Sequence, residues 1–245
     1  MKSLIQKTAF FLSISLIAGI FTIAQTNINK KDKYETLWEE VTKLDSQSLP
    51  KSALKKVEEI YTLALSENED VQIIKSLIYI TQYTAVLESE DKDFETAILK
   101  LESEIPKTSG AAKPILHLLL AKMYSQYYST NSYSINQRSV TYNFDLNDMQ
   151  TWDKTRFQDK IIKNYLLAID KSLNDILIKD YKEIIINAEN SMPKFETLLD
   201  FVAHSAIKGL TSIGQYRRYY FNDNFTQNED KFTNNSFFNN AEDFT

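Results

Sequence analysis

The sequence predicts an all-α fold, an irregular array of antiparallel helical hairpins that is either solenoid-like or a bundle. Two observations predict it. The 245 residues include only 4 Gly and 4 Pro, whereas β-sandwiches and barrels need frequent turn residues. Apolar residues also recur at steps of three and four along most of the chain, which is the spacing of a buried helical face. With no Cys, the fold depends on packing rather than on disulfides.

Residues 1–25 have the pattern of a cleavable secretory signal. Lys2 and Lys7 precede an uncharged apolar stretch from Ala9 to Ala24, which is shorter than the roughly 20 residues that a membrane-spanning helix needs. We expect cleavage near Ala24, export to the periplasm or cell envelope, and no stable membrane span afterwards. The alternative is that the segment is kept as an N-terminal anchor.

Removing this signal takes away two Lys and lowers the formal net charge from −5 to −7. Nucleic-acid binding needs clustered cations that neutralise phosphates. The chain has only four Arg and no evident basic face, so we expect it not to bind nucleic acid.

Residues 26–220 are the predicted helical domain. An opening helix is expected over residues 34–44. A second helix runs from Pro50 to Asn68, with Ser48 as its predicted N-cap. The third helix follows at 74–85. Because a short polar stretch separates the second and third helices, they should pair as an antiparallel αα-hairpin.

The middle of this domain predicts two further helices. One covers residues 94–105 and stops at Pro106, and the next opens around Pro114 and continues to Tyr127. Residues 129–150 lack helical spacing. Within them, the alternation from Val140 to Phe144 permits one short extended piece.

The C-terminal third begins with the clearest amphipathic pattern, which predicts one long helix from Trp152 to Ile176. Residues 181–186 are apolar and fit either helix or strand. Pro193 is expected to open a last helix, which should end between Gly209 and Gly214. Residues 221–245 hold seven Asn and six Phe but no Leu, Ile or Val, so we expect a disordered tail or the start of a missing domain.

No catalytic constellation is evident, and we expect neither enzyme activity nor a cofactor or metal site. The two histidines, His117 and His204, lie on or beside apolar helical faces, which favours partly buried packing residues. Asp200 precedes His204 by four residues, so the two side chains could meet on one face of a helix. The aromatic residues are interpreted mainly as core, and the alternative is that Tyr124, Tyr127 and Tyr128 line a groove for a carbohydrate or peptide. The residues singled out for packing or interaction are Trp38, Tyr124, Tyr127, Tyr128, Trp152, Asp200 and His204.

Several phrases of the sequence resemble the N-terminal helical region of bacterial, Bacteroidetes-type alpha-2-macroglobulin family proteins. The most specific are Leu49-Pro50-Lys51-Ser52-Ala53-Leu54 and Thr197-Leu198-Leu199-Asp200-Phe201-Val202-Ala203-His204. Further phrases are LWEEVTKLDSQSLPKSALKKVEEIYTLAL, QIIKSLIYITQY, AAKPILHLLLAKMYSQYYSTN, DMQTWD and FETLLDFVAHSAI. They are spread across most of residues 34–210.

The resemblance implies a helical region that precedes a series of macroglobulin-type β-sandwich domains in an envelope protein. Some family members trap proteases through a Cys-x-Glu-Gln thioester, which a chain without Cys cannot form. We therefore expect a structural or docking region, with the missing macroglobulin domains or another protein as partner, and with the chain either truncated or the helical portion alone. The alternative is an independent exported helical binding module, TPR-like, for a peptide or glycan.

Overall fold

The computed structural model describes residues 28–87, 93–139, 148–185 and 194–213. These ranges form an all-α fold, which confirms the predicted fold class. The predicted signal (1–25), the extended piece at 140–144 and the tail (221–245) lie outside the described residues. The helices are α1 (Ile28–Ser46), α2 (Pro50–Glu67), α3 (Asp70–Leu87), α4 (Asp93–Glu104), α5 (Ala112–Thr130), α6 (Ser132–Asn136), α7 (Lys154–Ala168) and α8 (Leu198–Ser212).

Long helices that follow one another in sequence pack side by side, in the order α1, α2, α3, α4, α5, α7 and α8. The most extensive contact joins α5 to α7, and α3 and α8 also touch α5. Short connections make α1, α2, α3, α4 and α5 antiparallel to their neighbours in this order. A single hydrophobic core therefore runs from Tyr34 in α1 to Leu210 in α8.

The array has two opposite ends, which we call the Leu49 end and the Asp70 end. At the Leu49 end, the C-termini of α1 and α3 meet the N-terminus of α2. At the Asp70 end, α1 is tied to the last turn of α2, where Lys33 and Tyr34 donate to Glu67 at 2.7 and 2.9 Å. The buried Tyr61 on α2 also donates to Glu104, the last residue of α4, at 3.1 Å.

The connection between α1 and α2 corrects the prediction that Ser48 is an N-cap. Ser48 has a positive φ of 57°, and its N–H donates to the carbonyl of Asp45. It therefore closes the C-terminus of α1 in the left-handed conformation typical of that position. The N-cap of α2 is Leu49, which offers no side-chain hydrogen bond, and Pro50 occupies the first turn as expected.

The predicted long helix from Trp152 to Ile176 is wrong at both ends. Asp153 caps α7 by accepting a hydrogen bond from the N–H of Arg156 at 2.9 Å, and the helix stops at Ala168. Ile169 leaves the helical region with ψ of 82°. Asp170 then accepts from the N–H of Ser172 at 2.8 Å and starts a separate 3₁₀ turn at Lys171–Leu173.

The described part of the segment predicted as helix or strand, residues 181–185, forms turns: a 3₁₀ turn covers Ile178–Tyr181, and further turns continue to Ile185. The last helix begins at Leu198, five residues later than the predicted start at Pro193, because Thr197 and Asp200 form a capping box there. It also continues through Gly209 to Ser212.

Candidate functional site

Trp38 is the first of the singled-out residues, and the structure buries it between α1 and α3. Its indole Nε1 donates to Oε1 of Gln72 at 2.7 Å, and its ring lies 4.8 Å from that of Tyr79, centroid to centroid. Lys75 covers the same ring, with Nζ 4.4 Å from the centroid. The ring of the indole and its N–H are thus both engaged by residues of α3, which fixes α1 on the array.

Charged groups surround this aromatic contact. Nζ of Lys75 lies 3.9 Å from the Glu183 carboxylate, and burial lowers the pKa of Lys75 from its usual value. Tyr83 donates from its hydroxyl to Asp45 at 2.6 Å. Burial, and then this bond to Asp45, raise the pKa of Tyr83 far above its usual value, so the phenol stays a hydrogen-bond donor.

A second aromatic cluster joins α5 to α7. It consists of the other four aromatic candidates, Tyr124, Tyr127, Tyr128 and Trp152, together with Phe157. Phe157 is its centre. Its ring centroid lies 5.4 Å from that of Tyr127, 6.2 Å from that of Tyr128 and 5.3 Å from that of Trp152. Tyr124 lies 5.9 Å from Trp152 on the other side. Aromatic pairs at these spacings stabilise beyond the area they bury.

The side chains of this cluster differ in their exposure to solvent. Tyr124 and Trp152 are both 0 % exposed, while Tyr127 and Tyr128 are half-buried at its edge. The ring of Tyr124 is therefore not available to line a carbohydrate or peptide groove. The hydroxyl of Tyr128 donates to Asn136 of α6 at 3.1 Å, which holds that short helix against α5.

The hydroxyl of Tyr124 belongs to a hydrogen-bonded group that three helices share. It donates to Oε2 of Glu102 on α4 at 2.8 Å, and Nζ of Lys160 on α7 donates to the other carboxylate oxygen at 2.5 Å. Burial, followed by the charge of Glu102, raises the pKa of Tyr124 well above its usual value. Burial also raises the pKa of Tyr127, to about 12. Both phenols therefore stay protonated at neutral pH.

Trp152 is held in place through its backbone as well as its ring. Arg138 donates to the carbonyls of Met149 and Trp152 at 3.2 and 2.7 Å, and the buried Glu95 accepts from the N–H of Met149 at 2.6 Å. The 3₁₀ turn Met149–Thr151 is thus pinned from α4 and from the end of α6. This pinning was not predicted, because it joins residues far apart in sequence without a repeating pattern.

Asp200 and His204 have separate partners. Asp200 accepts from the N–H and the hydroxyl of Thr197 at 3.1 and 2.8 Å, which makes it half of the capping box of α8. The half-buried ring of His204 lies 5.2 Å from that of Phe195. Asp200 therefore acts in helix capping and His204 packs against the residues that lead into the helix.

His117 is paired across the α5–α7 interface. Its Nδ1 lies 2.8 Å from Oδ1 of Asn164, whose amide donates to the carbonyl of Lys160. This amide orientation makes Nδ1 the hydrogen-bond donor. Burial is the largest cause that lowers the pKa of His117 below its usual value, and the nearby Lys113 and Lys163 lower it further.

An exposed apolar patch lies at the Leu49 end. Leu49 is 44 % exposed and Val86 is 42 % exposed. Beside them is a shallow open depression of about 270 Å³, lined by Leu87 of α3 and by residues 48–52. The phrase Leu49-Pro50-Lys51-Ser52, on which the family resemblance rests in part, therefore lies at an accessible surface.

Within the described ranges, histidine and acidic side chains form no group of three or more that could hold a metal ion. The helices of those ranges are also too short or too polar to cross a membrane. Comparison with protein-family models, with curated proteins and with solved structures finds no match for this chain.

Proposed function

We propose that this chain is the helical structural and docking region of an alpha-2-macroglobulin-like cell-envelope protein, exported by its N-terminal signal and without protease-trapping activity of its own. The sequence phrases quoted above support the family. The absence of Cys rules out a thioester on this chain. A structural role is supported by Trp38, Tyr124 and Trp152, whose large side chains are all used in contacts between helices.

The exposed apolar patch at the Leu49 end carries the docking part of the proposal. Leu49 and Val86 are large apolar residues with more than a third of their surface exposed, and Leu49 also lines the depression, where an apolar side chain of a partner could pack. The occupant we propose is a macroglobulin-type β-sandwich domain, because Leu49 belongs to a phrase that resembles this family.

A photo-crosslinking amino acid placed at Leu49 in cells that make the full chain tests this docking. We expect covalent capture of a protein or segment that contains macroglobulin-type β-sandwich sequence, in the envelope fraction. Thr62 is the matched control, since it is exposed on the same helix but lies far from the patch. Capture of an unrelated protein, or equal capture from both positions, would contradict the proposal.

Two simpler observations bear on family and export. Nucleotide sequence beyond codon 245 that encodes macroglobulin-like β-rich sequence in any frame would support the family, and an unrelated neighbour would count against it. N-terminal sequencing of the chain from the envelope fraction should begin near Gln25. A chain that starts at Met1 and remains in the cytoplasm would contradict export.

An independent binding module with a tyrosine-rich groove is the second candidate function. It is less favoured because Tyr124, one of the three tyrosines expected to line that groove, is 0 % exposed and lies against Trp152 and Lys160.

A further inference from the structure

Glu95 of α4 is a buried carboxylate with one oxygen that the fold does not use. The residue is 4 % exposed. Its Oε1 accepts from the N–H of Met149 at 2.6 Å, whereas its Oε2 has no hydrogen-bond partner. Among the described residues, no Lys or Arg forms an ion pair with it. Because a buried charge without a partner is costly, the free oxygen indicates that a further group binds there.

Asp148 brings a second carboxylate to the same place. It directly precedes Met149, and its Oδ1 accepts from the N–H of Gln150 at 3.1 Å. Glu95 and Asp148 therefore bind successive N–H groups of one 3₁₀ turn, Met149–Thr151. Asp148 is half-buried, and within the described part of the chain its Oδ2 accepts no hydrogen bond.

The positive charge at this turn lies on its other side. Arg138 donates to the carbonyls of Met149 and Trp152 at 3.2 and 2.7 Å. The N–H groups and the carbonyls of a helical turn point in opposite directions along its axis. The guanidinium therefore meets the carbonyl side of the turn, and the two carboxylates meet the N–H side.

The Tyr127 side chain is influenced by both carboxylates, which agrees with this placement. Burial is the largest cause that raises the pKa of Tyr127, and the charges of Glu95 and Asp148 raise it further. Arg138 acts in the opposite direction. The negative charges thus lie near the same aromatic residue.

The 3₁₀ turn Lys171–Leu173 shows how much charge a cap requires. Asp170 accepts from the N–H of Ser172 at 2.8 Å, just as Asp148 accepts from Gln150. In the described residues no second carboxylate accepts from the N–H of Lys171. One aspartate is therefore enough to cap such a turn, and the buried Glu95 is an additional negative charge.

A calcium ion is the ligand that suits two carboxylates with free oxygens. Ca²⁺ binds carboxylate oxygens and water in a flexible geometry, whereas Mg²⁺ demands a near-ideal octahedron and softer metals prefer nitrogen or sulfur ligands. With only two carboxylates, water would supply the remaining ligands. We therefore expect a dissociation constant of about 10⁻⁴–10⁻³ M, which is the range of weak extracellular calcium modules.

We propose that Glu95 and Asp148 bind a calcium ion through Oε2 and Oδ2, and that the ion holds the turn Met149–Thr151 against α4. The ion would neutralise the buried carboxylate of Glu95. This proposal does not depend on docking at the Leu49 patch, which is formed by other residues.

Terbium luminescence of the full chain tests the site, because Tb³⁺ replaces Ca²⁺ at carboxylate ligands and is sensitised by nearby aromatic rings. Trp152, which follows the turn, and Tyr127 supply such rings. We expect saturable emission that Ca²⁺ displaces. Asp148→Asn should weaken Tb³⁺ binding by about tenfold, since affinity depends on the charge of the ligands. Asp170→Asn, which changes the cap of the other turn, is the matched control and should leave binding unchanged.

Thermal unfolding of Glu95→Gln supplies the second readout. Gln still accepts from Met149 but removes the buried charge, so in EDTA this variant should unfold at a temperature no lower than that of the unmodified chain. Calcium at ten times its dissociation constant should raise the midpoint of the unmodified chain by about 3–6 °C. It should leave the midpoints of Glu95→Gln and Asp148→Asn unchanged.

Three results would each overturn the proposal. One is the absence of saturable, calcium-displaced emission. Another is equal weakening of Tb³⁺ binding by Asp148→Asn and Asp170→Asn. The third is a calcium-induced shift of the midpoint that persists in Asp148→Asn, whose half-buried side chain can be replaced without opening the core.

Discussion

Asp70 joins three separate parts of the fold through one carboxylate. Its Oδ2 accepts from the N–H of Ala111 at 3.0 Å and from the hydroxyl of Tyr181 at 3.3 Å. Gly110, with φ of 57°, brings the backbone so close that an added Cβ would lie 3.0 Å from both carboxylate oxygens. The first turn of α3, the start of α5 and the turn at Tyr181 are thus held at one point.

Substitution Asp70→Ala should lower the free energy of unfolding by about 1–3 kcal/mol, because it leaves two donors without their acceptor. Asp70→Asn should cost less, since its amide oxygen still accepts. Urea unfolding followed by circular dichroism measures both, with Glu39→Ala, an exposed carboxylate on α1, as control. If Asp70→Ala lowered the free energy of unfolding no more than Glu39→Ala, the Asp70 carboxylate would not stabilise the fold.

His117 should make stability depend on pH. Its pKa is lowered in the folded chain, chiefly by burial, so the unfolded state takes up a proton first as pH falls. The contribution of His117 to the free energy of unfolding is therefore fully present above about pH 6.5, the usual pKa of histidine, and it is lost progressively as the pH falls below that value.

The urea midpoint of unfolding should be lower at pH 5.8 than at pH 7.5, and His117→Gln should make that difference smaller. His204→Gln, which removes the other histidine, is the control and should leave the difference in place. An identical pH response in the His117→Gln variant would contradict this assignment.

At the scale of elements, the sequence predicts helices well where apolar spacing and breakers agree. The helices α2 and α3 lie within a residue or a turn of their predicted bounds, since Pro50 and the polar stretch at 66–70 mark their ends. The end of α7 could not be predicted in this way, because the apolar spacing continues to Ile176. The Asp170 side chain, which accepts from Ser172, ends the helical region despite that pattern.

The capping box sets the start of α8. Thr197 accepts from the N–H of Asp200 at 3.1 Å, while Asp200 accepts from Thr197 in return. Thr197→Ala should destabilise the chain by about 1 kcal/mol, whereas Thr197→Ser keeps the hydroxyl and should be nearly neutral. Thermal unfolding of the two variants measures the difference, and equal losses would argue that the cap does not contribute.

Gly209 lets α8 approach α7 closely. A Cβ at this position would collide with the ring and hydroxyl of Tyr165. Alanine favours a helix over glycine by about 1 kcal/mol, but overpacking costs about 1–3 kcal/mol. We therefore expect Gly209→Ala to destabilise the chain.

A double-mutant cycle with Tyr165→Leu tests the cause of this loss. Removing the ring should make Gly209→Ala neutral or stabilising in that background, because only the helix preference is left. The measurement is the unfolding midpoint of the two single variants and the double variant. An unchanged loss in the double variant would assign the effect to something other than the Tyr165 contact.

For the molecule as a whole, the residues singled out from the sequence lie in helices except Trp152, which precedes α7, and the partners of these residues could not be foreseen. Burial of Trp38 and Trp152 follows from their positions in apolar patterns. The contact of Trp38 with Lys75, and the pinning of Trp152 by Arg138, depend on how distant helices cross. Such crossings leave no periodic signal in a single sequence.

The two tryptophans of this chain provide a test of whether the described array unfolds as one unit. Trp38 lies at the α1–α3 contact, and Trp152 lies against α5 and α7. A continuous core and the bond between Asp70 and Tyr181 connect these regions. Opening one region should therefore expose apolar surface on the other, which favours a single cooperative transition.

In the Trp38→Phe variant the fluorescence reports only on Trp152, and in Trp152→Phe only on Trp38. Each substitution shifts stability by its own amount, so the comparison is made within a variant, between its fluorescence and its circular dichroism. We expect the two curves to coincide in both variants, because neither region can keep its helices paired once the shared core is opened. A fluorescence midpoint that clearly precedes the circular dichroism midpoint in one variant would mean that its tryptophan lies in a separately unfolding part, and the array would then behave as stacked hairpins rather than as a single bundle.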